Sequence, residues 1–180
     1  MRVTHLLVAA AAILCGCAPA QVQPDRAALA TAFADSLAAF RAATLSPALT
    51  YCVRQQAGLG MDLAILTNAG FVATNSATLR KPISGNIGLP PMPGSAFVVS
   101  VDGCTIRVNG FSISRLDLNE TIAQELENEG FDSVPSRENG GLGLPPQAQG
   151  FRKGDRVLGV RSSVLATNGV PFMSISILAP

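Results

Sequence analysis

Few residues of this 180-residue chain could do chemistry: four cysteines, twelve acids, two lysines and one histidine. The histidine is His5, near the start of the chain. Beyond it there is no imidazole, so neither a Ser-His-Asp nor a Cys-His relay can be assembled, and a metal site would have to do without histidine. Neither Lys81 nor Lys153 has a serine three places before it, which removes the S-x-x-K acyl-transfer arrangement. Phosphate-binding and dinucleotide-binding glycine loops and an EF-hand loop are also missing. Carboxylates remain. Asp117, Glu120, Glu125, Glu127, Glu129 and Asp132 gather along one helical stretch and just beyond it. Two carboxylates flanking a cleft could hydrolyse a glycosidic bond. Glu125 and Glu129, however, share one helix face at a spacing where like charges repel, the pattern of a solvated surface. The expectation is therefore no catalytic, metal-ligating or cofactor-binding residue.

Composition narrows the partners. The formal net charge is +1 and charged residues make up 14% of the chain, so no basic stripe exists to follow a phosphate backbone and nucleic-acid binding is not expected. Hydrophobic residues make up 48%, enough to build a buried core. Eight Phe, one Tyr and no Trp leave little for a sugar-binding or base-stacking platform.

The cysteines carry an address. An apolar run of ten residues, Leu6 to Cys15, follows the polar residues Arg2 and His5. It matches the core of a signal peptide and is far shorter than the roughly 20 residues a membrane-spanning helix needs. Leu14-Cys15-Gly16-Cys17 then resembles the lipobox of bacterial lipoproteins, with a Leu three places and a small residue one place before the lipidated Cys. Cys15 departs from the usual residues at its position. The resemblance implies cleavage after residue 16, diacylglycerol on the Cys17 sulfur and a fatty acyl chain on the new amino group. It thus implies a membrane partner through an N-terminal lipid anchor. Ala18 directly after the cysteine is similar to lipoproteins sorted to the outer membrane, facing the periplasm. A rival site is Ala18-Pro19-Ala20, whose cleavage would release a soluble chain beginning at Gln21.

With Cys15 lost in the leader and Cys17 carrying lipid, two thiols remain in an oxidising compartment. Cys52 and Cys104 are therefore expected to form one disulfide.

These residues need a scaffold. Residues 1–16 read as the signal peptide, 17–24 as a tether and 25–45 as an Ala-rich helix with Leu29, Phe33, Leu37 and Phe40 on one stripe. Ser46-Pro47 could cap another helix, but Leu49 to Arg54 also reads as a strand, and the strand is preferred. Ala96 to Arg115 reads as a meander with turns at Asp102-Gly103 and Asn109-Gly110. Asp117 and Glu120 suit a capping box for the next helix, and Gly130 its left-handed stop. Arg156 to Leu165, Asn168-Gly169 and Pro171 to Leu178 form a last hairpin, with Met173, Ile175 and Ile177 on one face. Arg152 to Arg156 reads as a solvated turn leading into it. Stretches near 75–95 and 132–150 read as long loops, and each carries Gly-Leu-Pro-Pro, at 88–91 and 143–146.

Internal matches suggest duplication. Leu66, Asn68, Gly70 and Phe71 recur as Leu126, Asn128, Gly130 and Phe131. Val98, Val101, Asn109 and Gly110 recur as Val157, Val160, Asn168 and Gly169, and the Gly-Leu-Pro-Pro loops recur at a similar offset. The expectation is two α+β units, 46–110 and 111–180, of about 60 residues each. In this register Tyr51 to Gln55 answers Phe111 to Arg115, both as strands, and Cys52 and Cys104 answer Ser112 and Ser163.

The run from Val99 to Gly110, with Val99-Ser100-Val101-Asp102-Gly103 at its start and a helix after it, resembles the BON domain of bacterial envelope lipoproteins, which carries a V-x-V-x-(D/N)-G pattern, over about 35 residues. The family repeats such a strand pair and helix, often twice per chain; the long Gly-Pro loops depart from it. The resemblance implies binding within the envelope.

The expected fold is α+β, with one or two small antiparallel sheets and helices on one face. The expected function is a non-enzymatic exported lipoprotein that binds or scaffolds another envelope component. The alternatives are a periplasmic hydrolase working through carboxylates and a small secreted inhibitor that presents a Gly-Leu-Pro-Pro loop to an enzyme.

Overall fold

A computed structural model describes residues 25–86, 92–101 and 103–180. The fold is α+β. Among the described residues there are four α-helices, α1 (Arg26–Phe40), α2 (Ser46–Gln56), α3 (Leu63–Asn68) and α4 (Arg115–Asn128). Eight strands form a single antiparallel sheet: β1 (Val72–Asn75), β2 (Thr78–Ser84), β3 (Pro93–Val99), β4 (Cys104–Asn109), β5 (Asp132–Val134), β6 (Gln149–Lys153), β7 (Arg156–Thr167) and β8 (Val170–Leu178). Residues 1–16 expected as signal peptide, Cys17 and the expected tether to residue 24 lie outside the described residues, as does the first Gly-Leu-Pro-Pro.

The strand order is β1-β2-β3-β4-β8-β7-β6-β5. It reads the same from either edge: two four-stranded meanders, each preceded by a helix, join through their last strands at the centre. The passage from helix to first strand is built the same way in both. At the end of α3, Phe71 N–H donates to the Leu66 carbonyl at 3.0 Å, and at the end of α4, Phe131 N–H donates to the Leu126 carbonyl at 2.8 Å. Between each pair stands a glycine in the left-handed region, Gly70 at φ +86 and Gly130 at φ +80, where a side chain would be strained. The following phenylalanines are almost wholly buried, and each contributes about 2–3 kcal/mol by leaving water.

Alternation along the central strands puts Ile106 and Val108 of β4 and Met173, Ile175 and Ile177 of β8 on one buried face. Helix α2 packs there against β4 and β8, and α4 against β5 and β7. One cluster of buried side chains runs through both meanders and the helices.

Several expectations are corrected. Tyr51 to Gln55 is the second half of α2, not a strand. The buried positions Leu45, Ala48, Leu49, Cys52 and Val53 follow the helical spacing i, i+3, i+4, i+7, i+8, and Pro47 lies in the first turn of α2, directly after the π-helical turn Arg41–Leu45. Phe111 to Ser114 is no strand either. Its backbone is held by a side chain instead: Ser112 N–H donates to Asn86 Oδ1 at 2.5 Å, and Asn86 Nδ2 donates to the Ser112 carbonyl at 2.7 Å. The capping box of α4 starts at Ser114, whose Oγ accepts from Asp117 N–H at 3.0 Å, so Asp117 is its third residue rather than its cap.

The two supposed loops contain β2 and the start of β3, and β5, a 3-10 helix (Ser136–Leu142) and the start of β6. Pro82 is tolerated within β2 because β1 pairs with β2 only as far as Val72 opposite Arg80, leaving the outer side of Pro82 unpaired. Asn168-Gly169 is a true hairpin turn, with both residues at positive φ between Thr167 and Val170. Asn109-Gly110 is instead the exit from β4, where a Cβ on Gly110 would stand 3.0 Å from the Gly94 Cα.

Candidate functional site

The expected disulfide is present. Cys52 on α2 and Cys104 at the start of β4 are bonded, with Cα atoms 5.3 Å apart, and both are fully buried. It fastens α2 to the centre of the sheet. The register that maps these cysteines onto Ser112 and Ser163 does not hold. Cys52 is helical, whereas Ser112 lies in the extended segment before α4. Cys104 opens β4, whose counterpart in the sheet order is β8, whereas Ser163 lies in β7.

The carboxylates do not converge. Glu125 accepts a hydrogen bond from Ser46 Oγ at 2.5 Å, which ties α4 to the start of α2. Asp117 faces Arg41 at 3.5 Å across the helix junction. Glu120, Glu127 and Asp132 are exposed, and Glu129 is half-buried. No carboxylate lines any of the four clefts described among these residues. The described residues also hold no group of three His, Cys, Asp or Glu that could bind a metal ion. No helix among them is long and apolar enough to cross a membrane.

Sequence reasoning missed the two lysines as a pair, yet the fold makes them one. Lys81 on β2 holds its ammonium 5.9 Å from the ring centre of Phe71, and Lys153 on β6 holds its own 5.8 Å from that of Phe131. Each also donates to a helix-end or helix-turn carbonyl, Lys81 to Ala43 and Lys153 to Glu129. Ala43 lies in a π-helical turn, Arg41–Leu45, inserted between α1 and α2. Such a turn widens the hydrogen-bond ladder and leaves carbonyls to be satisfied from outside, which is what the Lys81 ammonium does. Burial lowers the Lys81 pKa. The matching dipeptides Arg80-Lys81 and Arg152-Lys153 are the sequence signal for this equivalence.

The stripe of α1 is only half seated. Leu37 and Phe40 are buried, and Phe40 stacks on Phe111 at 4.0 Å between ring centres. Leu29 and Phe33 remain exposed at 37% and 41%.

The sheet face opposite α2 and α4 carries partly exposed aromatic and aliphatic side chains. Its centre presents Phe97, Val99 and Phe172, all half-buried, beside Arg107 and Asn109; with Thr78 they line a groove of about 420 Å³. Beyond it Leu165 is 58% exposed, and past Val160 the strand β7 has no partner on its outer side among the described residues. Arg115, Gln147 and Arg161 surround a second cleft of about 300 Å³ with four serines of β7 and β8.

The remaining part of that face is covered by the chain itself. The connection between β5 and β6 folds back over Gly150 and Gly159, which stand opposite each other in register. A Cβ added to Gly159 would lie 2.9 Å from Leu144 Cδ2, and one added to Gly150 would lie 3.2 Å from Leu144 Cδ1. The second Gly-Leu-Pro-Pro is thus pressed onto the sheet rather than held out. The two Gly-Leu-Pro-Pro motifs are also not equivalent. The first falls between the second and third strands of its meander, the second between the first and second.

Comparison with protein-family models, curated proteins and solved structures found no match to this chain.

Proposed function

We propose that the chain is an exported, lipid-anchored envelope protein that binds another envelope component through the sheet face opposite its helices, without catalysis. The observation that carries the binding half is this face itself. It combines half-exposed Phe97, Val99 and Phe172, exposed Leu165, and the guanidinium groups of Arg80, Arg107 and Arg161. Apolar centres with arginine at the rim are the usual composition of protein-binding surfaces. The scattered carboxylates and the carboxylate-free clefts favour this reading over hydrolysis. The seating of Leu144 on the sheet favours it over an inhibitor that offers this loop to an enzyme.

The address half rests on the resemblance of Leu14 to Cys17 to a lipobox. Lipid on Cys17 would fix the chain to a membrane, since each buried CH₂ is worth about 0.8 kcal/mol and several acyl chains are attached. Outer-membrane placement facing the periplasm follows from Ala18, and the BON-like run from Val99 to Gly110 agrees with an envelope partner.

The test is a photo-crosslinking amino acid placed in living cells at Leu165, with a control at Glu127 on α4. A discrete crosslinked species at Leu165 and none at Glu127 is expected. Crosslinks at Glu127 alone, or at neither position, would contradict the assignment of this face.

A further inference from the structure

The cleft of about 300 Å³ beside β7 gathers hydrogen-bond donors and no acid. Its place follows from the lengths of two strands. Gln149 opposite Val160 is the last pair between β6 and β7, yet β7 runs on to Thr167. From Arg161 onward the outer edge of β7 has no strand against it among the described residues, so side chains can come to this edge from both faces of the sheet.

Three segments do so. From the helix side comes Arg115. Ser162 Oγ donates to Asn119 Oδ1 at 2.7 Å, which fastens α4 to the edge, and Arg115 lies one turn before Asn119 on the same face of α4. From the opposite face comes Arg161, which stands opposite Ser176 in the ladder, next to Ser163 opposite Ser174. Alternation puts these four side chains on one face. From the loop before β6 comes Gln147. Ala148 N–H donates to the Pro145 carbonyl at 3.2 Å, and Gln147 holds φ +66 at the third position of that turn, where glycine or asparagine is usual. The loop thus keeps a side chain beside the cleft at a position that favours having none.

The donors are not used up within the protein. Neither Arg115 nor Arg161 has a carboxylate within 4.0 Å among the described residues, and both are exposed. The hydroxyls of Ser162 and Ser176 are engaged with Asn119 and Thr105; those of Ser163 and Ser174 have no such partner among the described residues. A guanidinium carries five N–H donors and keeps its charge at any ordinary pH. Two of them, with two hydroxyls and an amide, offer more donors than the two oxygens of a carboxylate accept. They suit the three terminal oxygens of a phosphoryl group.

We propose that this cleft binds a phosphoryl group, carried by a lipid headgroup or as free phosphate. Arg115 and Arg161 hold it from the two sides of the sheet edge, and Ser163, Ser174 and Gln147 donate to its remaining oxygens. The site goes beyond the protein-binding reading of the neighbouring face and does not depend on it.

The test is calorimetric titration of the full-length protein, purified in detergent, with inorganic phosphate, dihexanoyl phosphatidic acid and acetate. Saturable binding of a phosphoryl probe at one site per chain is expected, with acetate at least about tenfold weaker. Arg115→Ala and Arg161→Ala should each weaken binding about tenfold or more. Arg156→Ala, which removes one positive charge outside the cleft, should leave it unchanged. Tighter binding of phosphatidic acid than of phosphate assigns the site to a headgroup, and equal binding assigns it to phosphate itself; either result upholds the proposal. No saturable binding of either phosphoryl probe, acetate bound as tightly, or an equal loss in Arg156→Ala would overturn it. A nuclear magnetic resonance titration of the unaltered protein keeps the test independent of how the variants fold. Phosphate should shift the amide signals of Ser162 and Ser163 and leave that of Thr167 in place. Shifts absent from the two serines would also overturn the proposal.

Discussion

Leu144 rests against Gly159, and the missing side chain of that glycine is what lets it do so. Gly159 sits within β7 and faces Gly150 across the ladder. Neither is among the glycines at positive φ, so neither is there for its backbone. They make room for the loop.

Gly159→Ala should therefore destabilise by steric crowding alone. The new methyl would stand 2.9 Å from Leu144 Cδ2 and 3.3 Å from Ala148 Cβ. Overpacking of this kind costs about 1–3 kcal/mol. Urea denaturation should show this loss, and adding Leu144→Ala to the same chain should recover part of it. Two additive losses would mean that the leucine is not what the glycine accommodates.

The Cys52–Cys104 bond spans 52 residues. Closing a loop of that size stabilises by roughly 4 kcal/mol when the crosslink acts on the unfolded chain. The Cys52→Ala/Cys104→Ala double variant should lose an amount of this order in denaturant titrations, and reductant should lower the wild-type midpoint while leaving the variant unchanged. Equal midpoints with and without reductant would contradict the structural weight given to the bond.

Lys81 should titrate below its ordinary value near 10.5, because burial disfavours its charged form. The sign for stability follows. Between the lowered pKa of the folded chain and 10.5, the unfolded chain binds more protons, so stability contributed by this group rises with pH across that window. Lys81→Met should abolish that rise while leaving the rest of the pH profile in place. The same substitution also leaves the Ala43 carbonyl in the π-helical turn without its ammonium donor, so at neutral pH the variant should show faster amide exchange through Arg41–Leu45. An unchanged profile and unchanged exchange would mean that Lys81 does neither.

The α+β class was legible because it follows from local rules. Met173, Ile175 and Ile177 alternate as a half-buried strand must, Gly130 stops α4, and Asn168-Gly169 turns the last hairpin. The repeat of Leu66 to Phe71 as Leu126 to Phe131 was legible too, because helix stop and buried aromatic are needed at the same spacing in both meanders. The rest of the expected register was not. Asn-Gly serves a hairpin turn at residue 168 and a close backbone passage at 109, and one dipeptide does not distinguish the two uses. The strand expected at Tyr51, Cys52 and Val53 rests on analogy with the second unit, and the helical spacing of their buried neighbours overrides it. The proposed binding surface was invisible for a different reason. Phe97, Arg107 and Phe172 lie on three strands, and only the sheet order brings them together.

The central claim is export with a lipid anchor on Cys17, because it decides the compartment, the oxidised Cys52–Cys104 pair and the class of partner. Mass spectrometry of the mature N-terminus tests it most directly. The predicted result is a chain beginning at Cys17 that carries diacylglycerol on sulfur and an acyl group on nitrogen, found in the membrane fraction and lost from it in Cys17→Ser. A free terminus at Gln21 would contradict the anchor, and an intact Met1 would contradict export itself.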